Sequence, residues 1–139
     1  MTTKELGDLG EKLACEYLVK KGYSIVCKNY RIDFGEVDVI AKKSLKWFSK
    51  ADKTIHFVEV KALLVKQSFH PELAEGSAKG FYPEQHVDYK KQQKLRRMAE
   101  IWLQKNNYPQ DFPYQIDVIG ISINETTRNA KLHYFPNAV

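Results

Sequence analysis

The sequence has few cysteines and no long apolar stretch, which excludes several classes of protein. Its two cysteines, Cys15 and Cys27, are too few for a disulfide framework or a zinc site, and we interpret both as small buried residues. No segment approaches the roughly 18 consecutive apolar residues of a transmembrane helix, and residues 1–5 lack the apolar core of a signal peptide. We therefore expect a cytoplasmic protein with no membrane partner.

Motifs of several enzyme classes are also missing. There is no glycine-rich phosphate loop, no CxxC pair and no Ser/His/Asp arrangement, and the four histidines lack metal-ligand spacing. The missing glycine loop disfavours a metabolic enzyme that acts on small phosphates. The 139 residues are 43% hydrophobic, enough for a single domain with a substantial core, and the net charge of +5 is compatible with a polyanionic partner.

The order of helical and extended patterns predicts an α/β fold. Thr2 and Glu5 have capping-box spacing at the start of a helix, and Gly22 stands where that helix would end. Alternation, turn residues and apolar periodicity predict the remaining elements, which are strands at 23–30, 36–41, 55–64, 114–123 and 131–135 and a second helix at 87–106. The order α-β-β-β-α-β-β indicates one mixed five-stranded sheet flanked by helices.

Two of the predicted strands carry charged residues within apolar runs. In the run 37–41 the acid is Asp38, and on the strand 55–64 Glu59 and Lys61 share one face because side chains alternate along a strand. Burying an unpaired charge costs on the order of several kcal/mol. These residues are therefore either an ordinary ion pair at a strand end or part of a binding site.

A shared cation is the functional interpretation of these acids. Alternation along the strand 36–41 places Glu36, Asp38 and Ile40 on one face and Val37, Val39 and Ala41 on the other. If the two strands pair, Asp38 and Glu59 lie close enough to bind one Mg²⁺, an ion that takes one or two carboxylates together with waters and phosphate oxygens. The ion would activate a water, and Lys61 would hold that water or stabilise the pentavalent transition state.

The first helix contributes another acid. Glu11 lies at the border of the apolar stripe, beside small residues that would let the helix approach the sheet closely. It is either a solvated surface residue or a third acid directed at the helix–sheet contact. A different acid, Asp117, lies inside the apolar run 116–119, where we favour a structural hydrogen-bond acceptor over a role near the site.

The second helix has lysines at unusual positions. Lys91 interrupts its apolar stripe, either as a lysine that reaches solvent from the first turn or as a functional residue. Lys90, Lys94 and Arg97 form a basic edge beside the stripe. This edge is suited to phosphate contacts, although a solvated helix face has the same pattern.

The segments that contain these residues resemble, in order along the chain, the sequences of the YraN-like family, also called UPF0102. Its members are uncharacterised and are related to archaeal Holliday junction resolvases. The matching segments are Gly7-x-x-Gly10-Glu11-x-x-Ala14-x-x-Tyr17-Leu18, Gly22-Tyr23, Asn29-Tyr30-Arg31, Gly35 to Ala41, Phe57 to Lys61, Lys91-Gln92 and Ile116 to Ile119. The resemblance covers nearly the whole chain. It implies a restriction-endonuclease-like fold with a PD-(D/E)xK nuclease core.

The resemblance also assigns roles to residues. Asp38, Glu59 and Lys61 occupy its catalytic positions, and Glu11 resembles the first-helix acid of resolvase-type members. Asp38 and Glu59, with the Val60 carbonyl, would hold Mg²⁺ or Mn²⁺, and Glu11 would support a second ion or a water of the site. The residues expected to contact the nucleic acid are Lys91, Gln92, Lys90, Lys94, Arg97 and Arg31.

The implied function is a metal-dependent endonuclease that acts on DNA, with branched or damaged structures as candidate substrates and a homodimer as candidate assembly. Recognition is expected through shape and backbone, because no base-reading element is evident. The alternative is a nucleic-acid-binding or scaffold protein with a weak or inactive nuclease site. Metal-dependent cleavage separates the two.

Two departures from the family pattern lead to further expectations. Ala62 and Leu63 stand where members carry a small polar residue and a basic one, which removes an expected phosphate contact. The segment 64–86 is longer than in the family, and we predict a loop insertion that the fold tolerates as a surface excursion.

Overall fold

A single mixed sheet with a helix on each face organises the chain in a computed structural model that describes residues 1–44, 52–65 and 87–139. The elements in these ranges are α1 (Thr3–Lys20), β1 (Tyr23–Ile32), β2 (Gly35–Lys43), β3 (Ile55–Leu64), α2 (Tyr89–Lys105), β4 (Tyr114–Asn124) and β5 (Asn129–Phe135). Their order confirms the predicted α/β fold with a five-stranded sheet. The predicted bounds of β3 are those observed, and the other elements differ by a few residues at their ends.

Local sequence signals account for the start and end of α1. The Thr2 hydroxyl accepts a hydrogen bond from the Glu5 backbone N–H at 3.1 Å, and the Glu5 carboxylate accepts one from the Thr2 N–H at 3.3 Å. This is the predicted capping box. Beyond the helix, Gly22 has φ 94°, a conformation that favours glycine, and the chain turns there into β1.

The strands pair in their sequence order, β1-β2-β3-β4-β5. β1 and β2 form an antiparallel hairpin, β2 pairs antiparallel with β3, and β4 pairs antiparallel with β5. β3 and β4 are parallel over ten residue pairs, from Ile55↔Tyr114 to Leu64↔Ile123. A parallel pair needs a crossover connection, and α2 lies within it.

The core is divided between the two faces of the sheet. On one face Phe57 packs against Trp102 of α2, with ring centroids 5.7 Å apart, in a cluster that includes Met98 and Val37. On the other face α1 contributes Leu18 to a cluster with Val39, Ala41 and Val58 and with Ile119, Ile121 and Ile123 of β4. The sheet therefore separates α1 from α2.

The predicted alternation along β2 is wrong for Val37 and Val39, which we expected on one face, whereas the carboxylates of Glu36 and Asp38 lie together as expected. Val37 packs with Ile40 on the α2 face, whereas Val39 packs on the α1 face, so the alternation of faces breaks between positions 37 and 39. Across the hairpin, Asn29 lies between the paired residues Lys28 and Tyr30, and its φ of 52° is in the left-handed region, which is uncommon for a residue other than glycine.

Two predictions fall on parts of the chain outside the described ranges. Of the predicted insertion at 64–86, residues 66–86 lie outside the described residues, so the insertion and the single-domain assignment remain predictions. Among the residues that are described, no helix is long and apolar enough to cross a membrane.

Candidate metal and phosphate site

The site is built where β2 and β3 separate. Backbone pairing runs from Lys42↔Ile55 to Val39↔Val58, and the next residue of β2 is Asp38. Its Oδ2 accepts a hydrogen bond from the Val60 backbone N–H at 2.7 Å. The Asp38 side chain thus takes the place of a backbone acceptor and fixes a carboxylate at the fork between the strands.

A third element brings Glu11 to this fork. Gly10 of α1 packs directly on β3, because a Cβ at position 10 would lie 2.8 Å from the Ala62 Cβ. Such close approach needs a residue without a side chain. It places the next residue, Glu11, beside the sheet, as the small residues around it predicted.

Three carboxylates converge there. Glu11, Glu36 and Asp38 each offer one oxygen, and these oxygens lie within 4.8 Å of one another. Glu36 was assigned no site role from the sequence, although its position two residues before Asp38 on the same strand was a usable signal. Its carboxylate Oε2 also lies 3.1 Å from the Arg31 Nε.

The electrostatics of this cluster favour a neutralising partner. Burial and, after it, the nearby Glu59, Glu11 and Glu36 carboxylates together raise the pKa of Asp38 from 3.8 to about 7, against the hydrogen bond from Val60. Burial and Glu36 also raise the pKa of Glu11, against a hydrogen bond with Asn29. A bound cation would relieve the repulsion among these acids.

The donor set fits a hard divalent ion. All three groups are carboxylates, the ligands that Mg²⁺ prefers. With ligands at 2.0–2.1 Å in octahedral geometry, oxygens on opposite sides of Mg²⁺ are about 4.2 Å apart. Because the three oxygens lie within 4.8 Å of one another, only small side-chain adjustments are required to hold such an ion.

Glu59 lies at the same fork but is held by lysines. Glu59 is 6% exposed. Its Oε1 lies 2.5 Å from the Lys91 Nζ and 3.6 Å from the Lys61 Nζ. Burial lowers the pKa of Lys91, but the adjacent Glu59 carboxylate outweighs it and the net direction is upward. Burial and the neighbouring Lys91 lower the pKa of Lys61, against the attraction of Glu59.

The structure thus collects all four predicted catalytic residues at one fork, but with a different grouping. Asp38 and Glu11 share a cluster with Glu36, and Glu59 is paired with Lys61 and Lys91, while its charge still raises the pKa of Asp38. The predicted metal set of Asp38, Glu59 and Glu11 remains a prediction.

A cavity with charges of both signs opens beside the acids. It has a volume of about 420 Å³, and its charged lining residues are the acids Glu36, Asp38, Glu59 and Asp88 and the lysines Lys90, Lys91 and Lys94 of α2. α2 begins at its N-cap Asp88, whose side chain accepts a hydrogen bond from the Lys91 N–H at 2.8 Å. The cap fixes the backbone from which these lysines project.

The other residues predicted to contact nucleic acid have partners within the chain. Arg31 pairs with Glu36, and its side chain is 73% exposed. The Arg97 guanidinium lies over the Phe34 ring, 5.1 Å from the centroid. The Gln92 side chain donates to the Val87 carbonyl at 3.0 Å. Of the six, Lys90 and Lys94 are exposed lysines that line the cavity.

Asp117 is a structural residue, as we favoured from the sequence. Its buried carboxylate accepts hydrogen bonds from His56 at 2.7 Å, Tyr134 at 2.5 Å, Gln115 at 2.7 Å and the Asn137 N–H at 2.8 Å. Burial raises its pKa, but these bonds outweigh burial and lower it. No sequence pattern indicates the role of His56, because its partner lies 61 residues away.

Comparison with known proteins supports the resemblance over nearly the whole chain. The model of the family described as "Uncharacterised protein family UPF0102" matches residues 10–121. A UPF0102 protein of Clostridioides difficile is 36% identical over 135 residues, which is 97% of this chain and all of that protein. UPF0102 proteins of Caldicellulosiruptor bescii (33% identical, 99% of both chains) and Thermodesulfovibrio yellowstonii (36% identical, 99% of this chain and 98% of that protein) are similarly related. Their names state a family and no activity.

Proposed function

The chain belongs to the protein family UPF0102, and we propose that it is a Mg²⁺- or Mn²⁺-dependent endonuclease that hydrolyses DNA phosphodiester bonds. The observation that carries the proposal is the convergence of Glu11, Glu36 and Asp38, with oxygens within 4.8 Å, at a fork that also holds the buried Glu59. Lys90, Lys91 and Lys94 line the cavity beside these acids.

Each acidic residue has a defined part in this proposal. Glu11, Glu36 and Asp38 would hold the ion, with Glu59 as a further carboxylate at the fork. A divalent ion bound there supplies positive charge that favours ionisation of a water and offsets the charge that develops on the phosphate. Asp38 also accepts a hydrogen bond from the Val60 N–H and so links β2 to β3, which holds the carboxylates of the two strands near each other.

Lys61 is the residue proposed to face the reacting groups. Its ammonium lies 3.6 Å from the Glu59 Oε1, and its side chain is one-third exposed, so it can also donate to a group bound beside Glu59. Donation to the attacking water would orient it, and donation to a phosphate oxygen would stabilise charge in the transition state.

The cavity lysines are proposed to contact the DNA backbone. Lys90 and Lys94 are exposed and near the acids, as phosphate-binding residues should be. Such contacts carry no base information, so we propose structure-dependent recognition of branched or damaged DNA. A homodimer in the cytoplasm, with two sites that cut paired strands, completes the proposal.

A second candidate is a nucleic-acid-binding or scaffold protein with a weak or inactive site. The ion pair of Lys91 with Glu59 favours it, because an ammonium already neutralises a carboxylate that the nuclease would use. The apolar Ala62 and Leu63 after Lys61 favour it too, since they contribute no charge for the phosphate.

Cleavage assays separate the two candidates. Purified protein with Mn²⁺ is incubated with branched, flapped and single-stranded DNA, and the Glu59→Ala and Lys61→Ala variants are tested beside it. We expect cleavage by the wild type, none by either variant, and largely retained salt-sensitive binding in both. Intact DNA at high enzyme excess, with binding present, selects the second candidate. Asp111→Asn, at an exposed acid outside the site, is the control and should cut normally.

A further inference from the structure

One carboxylate oxygen in the structure serves two ammonium groups. The Glu59 Oε1 lies 2.5 Å from the Lys91 Nζ and 3.6 Å from the Lys61 Nζ. Lys61 is on the same strand as Glu59, two residues away, whereas Lys91 reaches it from α2. The shorter contact therefore comes from the other element.

The other charged groups at the fork are carboxylates, opposite in sign to the two ammonium groups. Glu11, Glu36 and Asp38 have oxygens within 4.8 Å of one another, and Glu59 is near enough to add to their repulsion on Asp38. A divalent ion attracted to these acids would come close to the Lys91 ammonium. Like charges at such separations repel strongly where the surroundings are partly desolvated.

The Lys91 side chain has room to move. It is 35% exposed and lines the 420 Å³ cavity that contains Lys90 and Lys94. Its backbone is held by the Asp88 cap at 2.8 Å, so a change of side-chain rotamer suffices and the helix need not move.

We propose that Lys91 is the counter-ion of Glu59 only in the metal-free protein, and that a divalent ion displaces its ammonium into the cavity, where it binds a phosphate of the substrate. The inference rests on the proposed metal-dependent function. It makes Lys91 a residue whose ammonium competes with the metal for Glu59 before it binds the substrate. Binding of the metal and binding of a phosphodiester are then coupled, since the first frees a cation for the second.

The test is calorimetric titration of the wild type and Lys91→Met with Mn²⁺ alone. Because the competing ammonium is gone, Lys91→Met should bind Mn²⁺ at least about fivefold more tightly, in the usual range of coupling between sites. Lys12→Met is the matched control, since Lys12 is an exposed lysine next to Glu11 and its replacement removes the same charge near the acids. The Mn²⁺ affinity of Lys12→Met should stay within about twofold of the wild-type value if the direct contact of a lysine with Glu59 is what opposes the metal.

A double variant tests whether Glu59 is the point of competition. In Lys91→Met/Glu59→Gln neither charge of the ion pair remains. The double variant should therefore bind Mn²⁺ no more tightly than Glu59→Gln alone. Lys91→Gln serves in place of Lys91→Met if the latter does not fold, as judged by circular dichroism. In the wild type, Mg²⁺ should also shift the NMR signal of the Lys91 side-chain amine more than that of Lys12.

The outcomes distinguish this inference from the proposed function. Tighter binding by Lys91→Met alone supports it, as does Mn²⁺ binding by Lys91→Met when the wild type binds none. Equal or weaker binding by Lys91→Met, with the wild type binding Mn²⁺, overturns the inference and leaves the metal-dependent function standing. Absence of Mn²⁺ binding in every protein overturns both.

Discussion

The Asp38 carboxylate accepts a hydrogen bond from the Val60 backbone N–H at 2.7 Å, at the point where β2 stops pairing with β3. This bond joins the acid of one strand to the strand that carries Glu59 and Lys61. It also keeps Asp38 half-buried among other carboxylates, which raises its pKa to about 7. The fold therefore holds this acid at an electrostatic cost that a cation can relieve.

Replacing Asp38 by asparagine should stabilise the metal-free protein. With a folded pKa near 7 against an ordinary 3.8, the folded state binds more protons between these values, so wild-type stability falls as pH rises through this window. Asparagine carries no charge and keeps an oxygen for the Val60 N–H. At pH 8, Asp38→Asn should add about 2 kcal/mol to the free energy of unfolding, allowing for screening, and little at pH 4.

Urea denaturation at both pH values measures this difference in the absence of divalent ions. Asp111→Asn is the control for removal of an exposed acid and should track the wild type. Equal stability of Asp38→Asn and the wild type at pH 8 would show that the charge on Asp38 does not destabilise the folded protein.

Divalent ions should make the wild type more stable than Asp38→Asn. Saturation of a site at 100 times its Kd stabilises a folded protein by about 2.7 kcal/mol, so Mn²⁺ should raise the Tm of the wild type by several degrees. Asp38→Asn and Glu36→Gln should lose most of this increase, because each removes one of the three converging carboxylates. Thermal melts with Mn²⁺ and with EDTA measure it, and a full increase in Glu36→Gln would exclude that residue from the site.

Gly10 and Gly7 form a matched pair on α1. An added Cβ would meet the Ala62 Cβ at 2.8 Å at position 10 and nothing within 4 Å at position 7. Gly10→Ala should therefore destabilise the protein by about 1–3 kcal/mol through overpacking. Gly7→Ala should stabilise it by up to about 1 kcal/mol through helix propensity. Denaturation curves of the two variants compare them directly, and equal effects would contradict the close helix–sheet packing.

The buried Asp117 should be the most sensitive acid outside the site. Its carboxylate is 0% exposed and accepts four hydrogen bonds, so Asp117→Ala leaves His56 and other donors unpaired and should cost about 3–5 kcal/mol. Because its folded pKa is lowered, the stability from this network is present above the ordinary value of 3.8 and is lost as pH falls below it. Urea denaturation measures the effect, and a cost under 1 kcal/mol would contradict it.

Salt dependence should separate the basic residues of α2. Removal of one phosphate-binding cation reduces the slope of log K against log salt by about 0.9 on duplex DNA, so Lys90→Ala and Lys94→Ala should each lower it by nearly one. Arg97→Ala should leave the slope unchanged, because its guanidinium lies over Phe34 and contributes to packing. DNA titrations at several salt concentrations measure the slopes, and a reduced slope with Arg97→Ala would return that residue to the interface.

Some features of the fold and site were predictable because they depend on local sequence. The apolar run 55–64 indicated the bounds of β3, and Thr2 with Glu5 indicated the start of α1, since capping and burial act over a few residues. Lys91 could be noticed because it interrupted an apolar stripe, but its contact with Glu59, 32 residues away, depends on how α2 crosses the sheet. The opposite faces of Val37 and Val39 could not be predicted, because strand periodicity places residues two apart on the same face.

Metal-dependent hydrolysis of DNA by the carboxylates at the fork can be tested on one end-labelled flapped DNA. The wild type, Asp38→Asn and Asp111→Asn are compared in Mn²⁺ and in EDTA at equal enzyme excess. We predict cleavage by the wild type and Asp111→Asn in Mn²⁺ alone, and none by Asp38→Asn. Cleavage that persists in EDTA or in Asp38→Asn, or none by the wild type, would contradict metal-dependent hydrolysis at this fork.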